Sequence, residues 1–259
     1  MTTHVGSVIV TGASSGFGRA TAALLASHGR RVVAVARRVE RLRELSEECG
    51  GGGSILPLAL DVRDARAVSE AVATLPEDFA DIGALVNNAG LSRGFGPVQS
   101  ADPRHWQEMV ETNITGQLNC IRAVLPRLVE SGAGHVVNIG SVAGVYPYSG
   151  GNVYSATKAF THQLSLSMRT DLEGTGVRVS CVAPGMARTE FADVRYDGDK
   201  DRVDALYDGV EPLAAADVAE AVHWCLARPS RVNVNMIEIM PTSQPFGLGF
   251  RSPATRKES

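Results

Sequence analysis

A chain of 259 residues, 44% of them hydrophobic and 27 of them glycine, is long enough to bury a sizeable core as one α/β domain. Its net charge of −3 gives no case for nucleic acid or an anionic membrane surface as partner. Cys49, Cys120, Cys181 and Cys225 are far apart and form no Cys-x-x-Cys, and the six histidines show no zinc spacing, so neither a disulfide framework nor a metal is expected. No apolar run approaches the roughly eighteen residues of a membrane span, no basic-then-apolar leader opens the chain, and the cytoplasm is the expected location.

Residues 8–11, Val-Ile-Val-Thr, read as a buried strand. Gly12, Ser14, Ser15, Gly16, Phe17 and Gly18 follow as a glycine-rich turn, with a helix over 19–28. Strand, glycine turn and helix together offer backbone N–H groups and a helix N-terminus to a pyrophosphate. A second strand over 31–36 ends in Ala36-Arg37-Arg38, where many dinucleotide-binding chains carry an acid for the ribose 2′-hydroxyl. Guanidinium groups there suit a 2′-phosphate instead, which predicts NADP rather than NAD, with Arg37 the favoured contact.

A charged helix over 39–49 leads to the glycine turn 50–53 and a third strand over 54–60. Asp61 and Val62 end that strand, where Asp61 either bonds the adenine amino group or serves as an N-cap-like loop acid. Residues 63–75 are helical, and 84–90 form a fourth strand ending Asn-Asn-Ala-Gly. Residues 106–131 form one long helix or two joined pieces. Asn113 and Gly116 are poor helix residues in its middle, so a kink turning Asn113 toward the site is predicted.

A strand over 135–140 delivers Ser141. Tyr154 and Lys158, four residues apart, share one face of the next helix, over 154–172. An ammonium about 4 Å from a phenol is worth at most about 4 kcal/mol at an effective dielectric of about 20, roughly three pKa units, enough to make Tyr154 an acid/base near neutrality. Ala156, Phe160, Leu164, Met168 and Leu172 give that helix an apolar stripe, expected to face the core or a subunit interface. A strand over 177–182 ends Ala183-Pro184-Gly185. The charged stretch 186–210 is expected to be a mobile lid. A helix to Arg228, a strand over 233–240 and a loose tail, 244–259, complete the chain. The alternation predicts a single-domain, Rossmann-type doubly wound parallel sheet of about seven strands, with helices on both faces.

Thr-Gly-x-x-x-Gly-x-Gly, Asn-Asn-Ala-Gly, Asn113, Ser141, Tyr-x-x-x-Lys and Pro-Gly-x-x-x-Thr occur in one order from about Val8 to Met240. In this the chain resembles the short-chain dehydrogenase/reductase family. The resemblance implies that Tyr154 is the general acid/base, that Lys158 lowers its pKa and bonds the nicotinamide ribose, that Ser141 polarises the substrate oxygen, and that Asn113 anchors a relay water. Gly12, Ser14, Ser15, Gly16, Phe17 and Gly18 would cradle the phosphates. Asp61, Val62, Asn88, Ala89 and Gly90 would lie along the adenosine, and Pro184, Gly185 and Thr189 would touch the nicotinamide end.

Residues 147–160, 169–172, 189–191, 193–199 and 233–241 are further similar to NADP-dependent serine/3-hydroxy acid dehydrogenases, from which the chain departs at Ala183. That likeness implies L-serine, L-allo-threonine or 3-hydroxypropionate/malonic semialdehyde as substrate, a domain over 1–243, and a homotetramer. Arg195, in the lid, is predicted to pair the substrate carboxylate. The other readings are a carbonyl reductase for a neutral ketone or aldehyde and a non-catalytic NADP-binding regulatory protein.

Overall fold

The computed structural model describes residues 6–50 and 54–245; the turn 51–53 and the tail from 246 lie outside the described residues. Seven strands, β1 (Ser7–Thr11), β2 (Val32–Ala36), β3 (Ile55–Ala59), β4 (Ile82–Asn87), β5 (His135–Ile139), β6 (Arg178–Pro184) and β7 (Met236–Ile239), form one sheet in the order β3-β2-β1-β4-β5-β6-β7. Every neighbouring pair runs parallel. Between them come α1 (Gly16–Ser27), α2 (Val39–Glu48), α3 (Ala65–Ala73), α4 (Glu77–Ala80), α5 (Pro103–Val110), α6 (Gln117–Ser131), α7 (Asn152–Asp171), α8 (Phe191–Arg195), α9 (Lys200–Tyr207) and α10 (Ala215–Leu226).

Side chains alternate across a strand, and the core divides accordingly. Val8, Val10, Val32 and Ala34 meet Leu25, Leu42, Leu45, Val218 and Val222 on one face of the sheet. Ile9, Val33, Val35, Leu85 and Val136 meet Val68, Val72, Val124, Leu128 and Met168 on the other. With both faces covered, β1 and β2 are buried throughout, as parallel strands require. Pro57 is tolerated because β3 is an edge strand. After β1 the sheet order reverses direction, so the chain leaves β1 and β4 on opposite sides and opens a crevice at their carboxyl ends.

One helix boundary is corrected. The first helix begins at Gly16, three residues early, so the glycine turn itself supplies its first turn. Region 106–131 is two joined helical pieces interrupted at the expected residues: a π-turn over Glu111–Gly116 separates α5 from α6, with Asn113 and Gly116 both buried. A bulge of this kind is how a helix absorbs an extra residue and redirects a side chain. The apolar stripe meets the core at Leu164, Met168 and, just past the end of α7, Leu172, while Ala156 is exposed. The side of α7 facing inward is largely polar, comprising Tyr154, Thr157, Lys158, Thr161, His162 and Ser165.

Candidate active site

The crevice is a cleft of about 440 Å³, lined by every residue singled out from the sequence except Gly18 and Asn113. At one end lies the glycine turn. Gly12 has φ +68°, and a Cβ added there would come within 2.8 Å of the Asn88 side chain. Gly18 is tighter: its Cβ would sit 2.4 Å from both Asn88 Nδ2 and the Gly12 carbonyl. Asn88 is the brace of this turn. Its Nδ2 donates to the Thr11 carbonyl (2.8 Å), while Asn88 N and Ala89 N donate to Thr11 Oγ1 (3.0 and 2.9 Å). Asn88 thus supports the turn from behind, a role its place in the strand did not reveal.

Of the two arginines after β2, Arg38 rather than the favoured Arg37 reaches into the turn. Its Nε and Nη2 donate to Ser14 Oγ (3.2 and 3.1 Å) and Nη2 also to Ser15 Oγ (3.0 Å). Arg37 lines the cleft but is exposed. Asp61 is held by Arg63 through both oxygens, and that hydrogen bonding keeps its carboxyl below the usual range. Two guanidinium groups beside Ala36, where an acid would select a 2′-hydroxyl, together with a turn that only glycine can form, fit a dinucleotide bearing a 2′-phosphate.

At the other end, β5 delivers Ser141 and α7 delivers Tyr154 and Lys158. The Lys158 ammonium donates to the Ile139 carbonyl (2.8 Å) and lies 6.0 Å from the Tyr154 ring centre. Lys158 and Tyr154 thus face the same cleft from one side of α7. Burial lowers the Lys158 pKa to about 8, and it pushes the Tyr154 phenol well above its ordinary value, with Tyr148 adding to the rise. A hydrogen bond from Ser141 and the charge of Arg195 oppose that rise. Desolvation, which disfavours the phenolate, is the largest cause of that rise. Ser141 is fixed from two sides: its Oγ accepts from Ala143 N (3.1 Å), and its N–H points at His162 Nε2 (3.4 Å). His162 was missed, though it lies four residues beyond Lys158 on the same helical face.

Asn113 is placed by the π-turn, but its side chain does not line the cleft. Oδ1 accepts from Leu91 N (2.8 Å) and Nδ2 donates to the Leu91 carbonyl (2.8 Å) and Thr157 Oγ1 (3.0 Å). Its side chain pins the loop after β4 to α7.

Arg195 is the most informative predicted residue. It is only 6% exposed, and its guanidinium lies over the rings of Phe95 (5.4 Å), Tyr148 (5.1 Å) and Tyr154 (5.6 Å). It donates to the Tyr148 hydroxyl, while its Nε is buried without a hydrogen-bond partner. Tyr154 also meets Phe191, with ring centres 5.3 Å apart. This buried cation is flanked by aromatic rings and keeps one donor, Nε, unused.

A parallel sheet that opens on a glycine turn at one strand and on a serine, tyrosine and lysine at another defines a dinucleotide-dependent oxidoreductase. The short chain dehydrogenase family model matches residues 6–200, and the chain belongs to that family. It is 47% identical over 246 residues to a serine 3-dehydrogenase of Rhizobium radiobacter, covering 95% of this chain and 97% of that one. It is 50% identical over 240 residues to a sulfoacetaldehyde reductase 2 of Chromohalobacter salexigens, covering 92% and 95%. The solved closed form of a serine dehydrogenase complexed with NADP+ superposes with a TM-score of 0.90 at 45% identity, covering 92% of this chain and 96% of that one.

Proposed function

We propose that the protein is an NADP-dependent oxidoreductase that moves a hydride between the nicotinamide and the hydroxyl-bearing carbon of a small 3-hydroxy acid, of the class of L-serine, L-allo-threonine and 3-hydroxypropionate/malonic semialdehyde. The observation that carries the substrate class is Arg195, a buried guanidinium over the ring of Tyr154. A 3-hydroxy acid carries its anion two carbons from the reacting one. Its hydroxyl can therefore meet Tyr154 while its carboxylate meets Arg195.

The nicotinamide, when bound, accepts or donates the hydride. Tyr154 moves the proton at the substrate oxygen, and burial, which favours its protonated form, suits donation to that oxygen during carbonyl reduction. Ser141 hydrogen-bonds the same oxygen. Lys158, held by the Ile139 carbonyl one turn along α7 from Tyr154, would bond the nicotinamide ribose. Gly12, Ser14, Ser15, Gly16, Phe17 and Gly18 would hold the phosphates, with Arg38 and Arg37 toward the 2′-phosphate. Asp61, Val62, Ala89 and Gly90 would lie along the adenosine, and Pro184, Gly185 and Thr189 along the nicotinamide. The rings of Phe95, Tyr148 and Phe191 exclude water beside the reacting carbon.

A sulfonate is the second reading, favoured by the 50% identity to a sulfoacetaldehyde reductase: a guanidinium takes a sulfonate as it takes a carboxylate. The test is a panel of L-serine, L-allo-threonine, 3-hydroxyisobutyrate, isethionate and simple secondary alcohols with NADP+. The proposal expects turnover of the anionic alcohols well above the neutral ones. Faster turnover of neutral alcohols would assign a carbonyl reductase instead, and binding of NADP+ without any turnover a regulatory protein.

The proposal extends to the whole molecule: a domain over 1–243 with 186–210 as its lid, acting in the cytoplasm as a homotetramer. Val110, Leu118 and Leu166, left exposed on α5, α6 and α7, support an assembly across those helices. A sedimentation mass of four chains is expected, and a monomer would refute it.

A further inference from the structure

We infer that Glu190 is an internal anion that competes with the coenzyme's 2′-phosphate for Arg38 and Arg41, and that Glu190 and Arg41 thereby set the preference for NADP over NAD. The inference rests on the coenzyme reading above. Glu190 stands between Thr189, which borders the glycine turn, and the first residue of α8. One carboxylate oxygen accepts from Arg38 Nη1 (2.9 Å) and the other from Arg41 Nη1. Residues 149 and 152 positions apart in sequence thus meet at the mouth of the cleft.

The geometry of Arg38 makes the competition unavoidable. All three of its guanidinium nitrogens are engaged: Nε and Nη2 by Ser14 and Ser15, and Nη1 by Glu190. The two serine hydroxyls accept from Arg38, so each keeps its own hydrogen for a further acceptor. An arriving phosphate group therefore finds hydroxyl donors ready, but finds the outward arm of Arg38 holding a carboxylate. A monoester phosphate carries a charge of about −1.5 to −2 near neutrality. It cannot share the two arginines with Glu190 without placing like charges side by side, and it must displace the carboxylate.

Displacement reaches the lid. The far end of α8 is tied to the loop after β4, where Arg93 donates to Asp197 (2.8 Å) and to the Val194 carbonyl (3.2 Å) and Gly94 N donates to the Arg195 carbonyl (3.1 Å). Glu190 is the tie at the near end. A 2′-phosphate on Arg38 and Arg41 would free that end of the lid while the end carrying Arg195 stays anchored. NAD, lacking the phosphate, would leave Glu190 in place.

The test measures dissociation constants by calorimetry on the full chain for NADP+, NAD+, 2′,5′-ADP and 5′-ADP. Exposed ion pairs of this kind are each worth a few tenths to about 1 kcal/mol. Glu190→Gln should therefore bind NADP+ and 2′,5′-ADP roughly three- to tenfold more tightly, with NAD+ and 5′-ADP unchanged within about twofold. Glu190→Asp, which keeps the charge but shortens the reach, should fall between. Arg41→Met should weaken only the two ligands that bear a 2′-phosphate. Hydrogen exchange of amides 190–192 should quicken with 2′,5′-ADP and not with 5′-ADP. Weaker or unchanged NADP+ binding in Glu190→Gln would mean that the carboxylate orders the arginines rather than competing, and would overturn the inference alone. A wild-type chain that binds NAD+ as tightly as NADP+ would overturn the coenzyme reading with it.

Discussion

At Tyr154 two effects oppose each other, and burial wins. The phenol is 8% exposed and its pKa rises despite the Ser141 hydrogen bond and the Arg195 charge. Lys158 bears the counterpart of the same burial, with a pKa lowered to about 8 from 10.5. The sign follows from linkage. Between about pH 8 and about pH 10.5 the unfolded chain binds a proton at Lys158 that the folded chain does not, so this group's contribution to stability rises with pH across that window. Denaturant unfolding at about pH 7.5 and about pH 10 should show wild type gaining roughly 2–3 kcal/mol relative to Lys158→Met; a constant difference would mean the ammonium is not desolvated.

Arg195 gives a second prediction at this scale. A charge-assisted hydrogen bond to a buried anion is worth about 1.5–3 kcal/mol. Arg195→Met should therefore raise KM for 3-hydroxy acids by roughly ten- to a hundredfold and leave kcat/KM for neutral alcohols little changed. Equal losses on both classes would make Arg195 a structural cation held by its rings.

Among the elements, the glycine turn and the π-turn are set by close approach. The Cβ of Gly18→Ala would meet backbone as well as the Asn88 amide, so the substitution should cost at least the 1–3 kcal/mol typical of overpacking, read as a lower unfolding midpoint. Unchanged stability would show that the turn can open without loss. Both turns were legible in the sequence, because glycine spacing and misplaced helix residues are local signals. The inward face of α7 was not. Thr157, Thr161, His162 and Ser165 are polar residues without a sequence signal of their own, and Asn113, Gln117, Asn138 and the Ser141 N–H are the partners that hold them in the interior. Polar burial depends on partners from other elements, which periodicity does not encode.

Over the whole molecule, the parallel sheet and its crevice were readable because buried strands, glycine turns and helices alternate regularly along the chain. Ties between distant segments were not. Arg38 with Glu190, and Arg93 with Asp197, join residues more than a hundred positions apart. Gln244, expected to begin a loose tail, is 8% exposed, and its Oε1 accepts from Met186 N (2.7 Å) just after β6. Gln244→Ala would leave that N–H unpaired, at a cost of about 1–3 kcal/mol. Faster hydrogen exchange should appear around 185–187, and unchanged exchange there would show the contact to be incidental.

In the proposed reaction Tyr154 moves the proton while the glycine turn and the arginines hold the coenzyme. Tyr154→Phe tests it most directly, measured for both NADP+ affinity and turnover of L-serine or its 3-hydroxy acid relatives. Loss of a general acid/base predicts turnover lower by roughly 10²–10⁴-fold, with the dissociation constant for NADP+ within a few-fold of wild type. Retained turnover, with coenzyme binding intact, would contradict it.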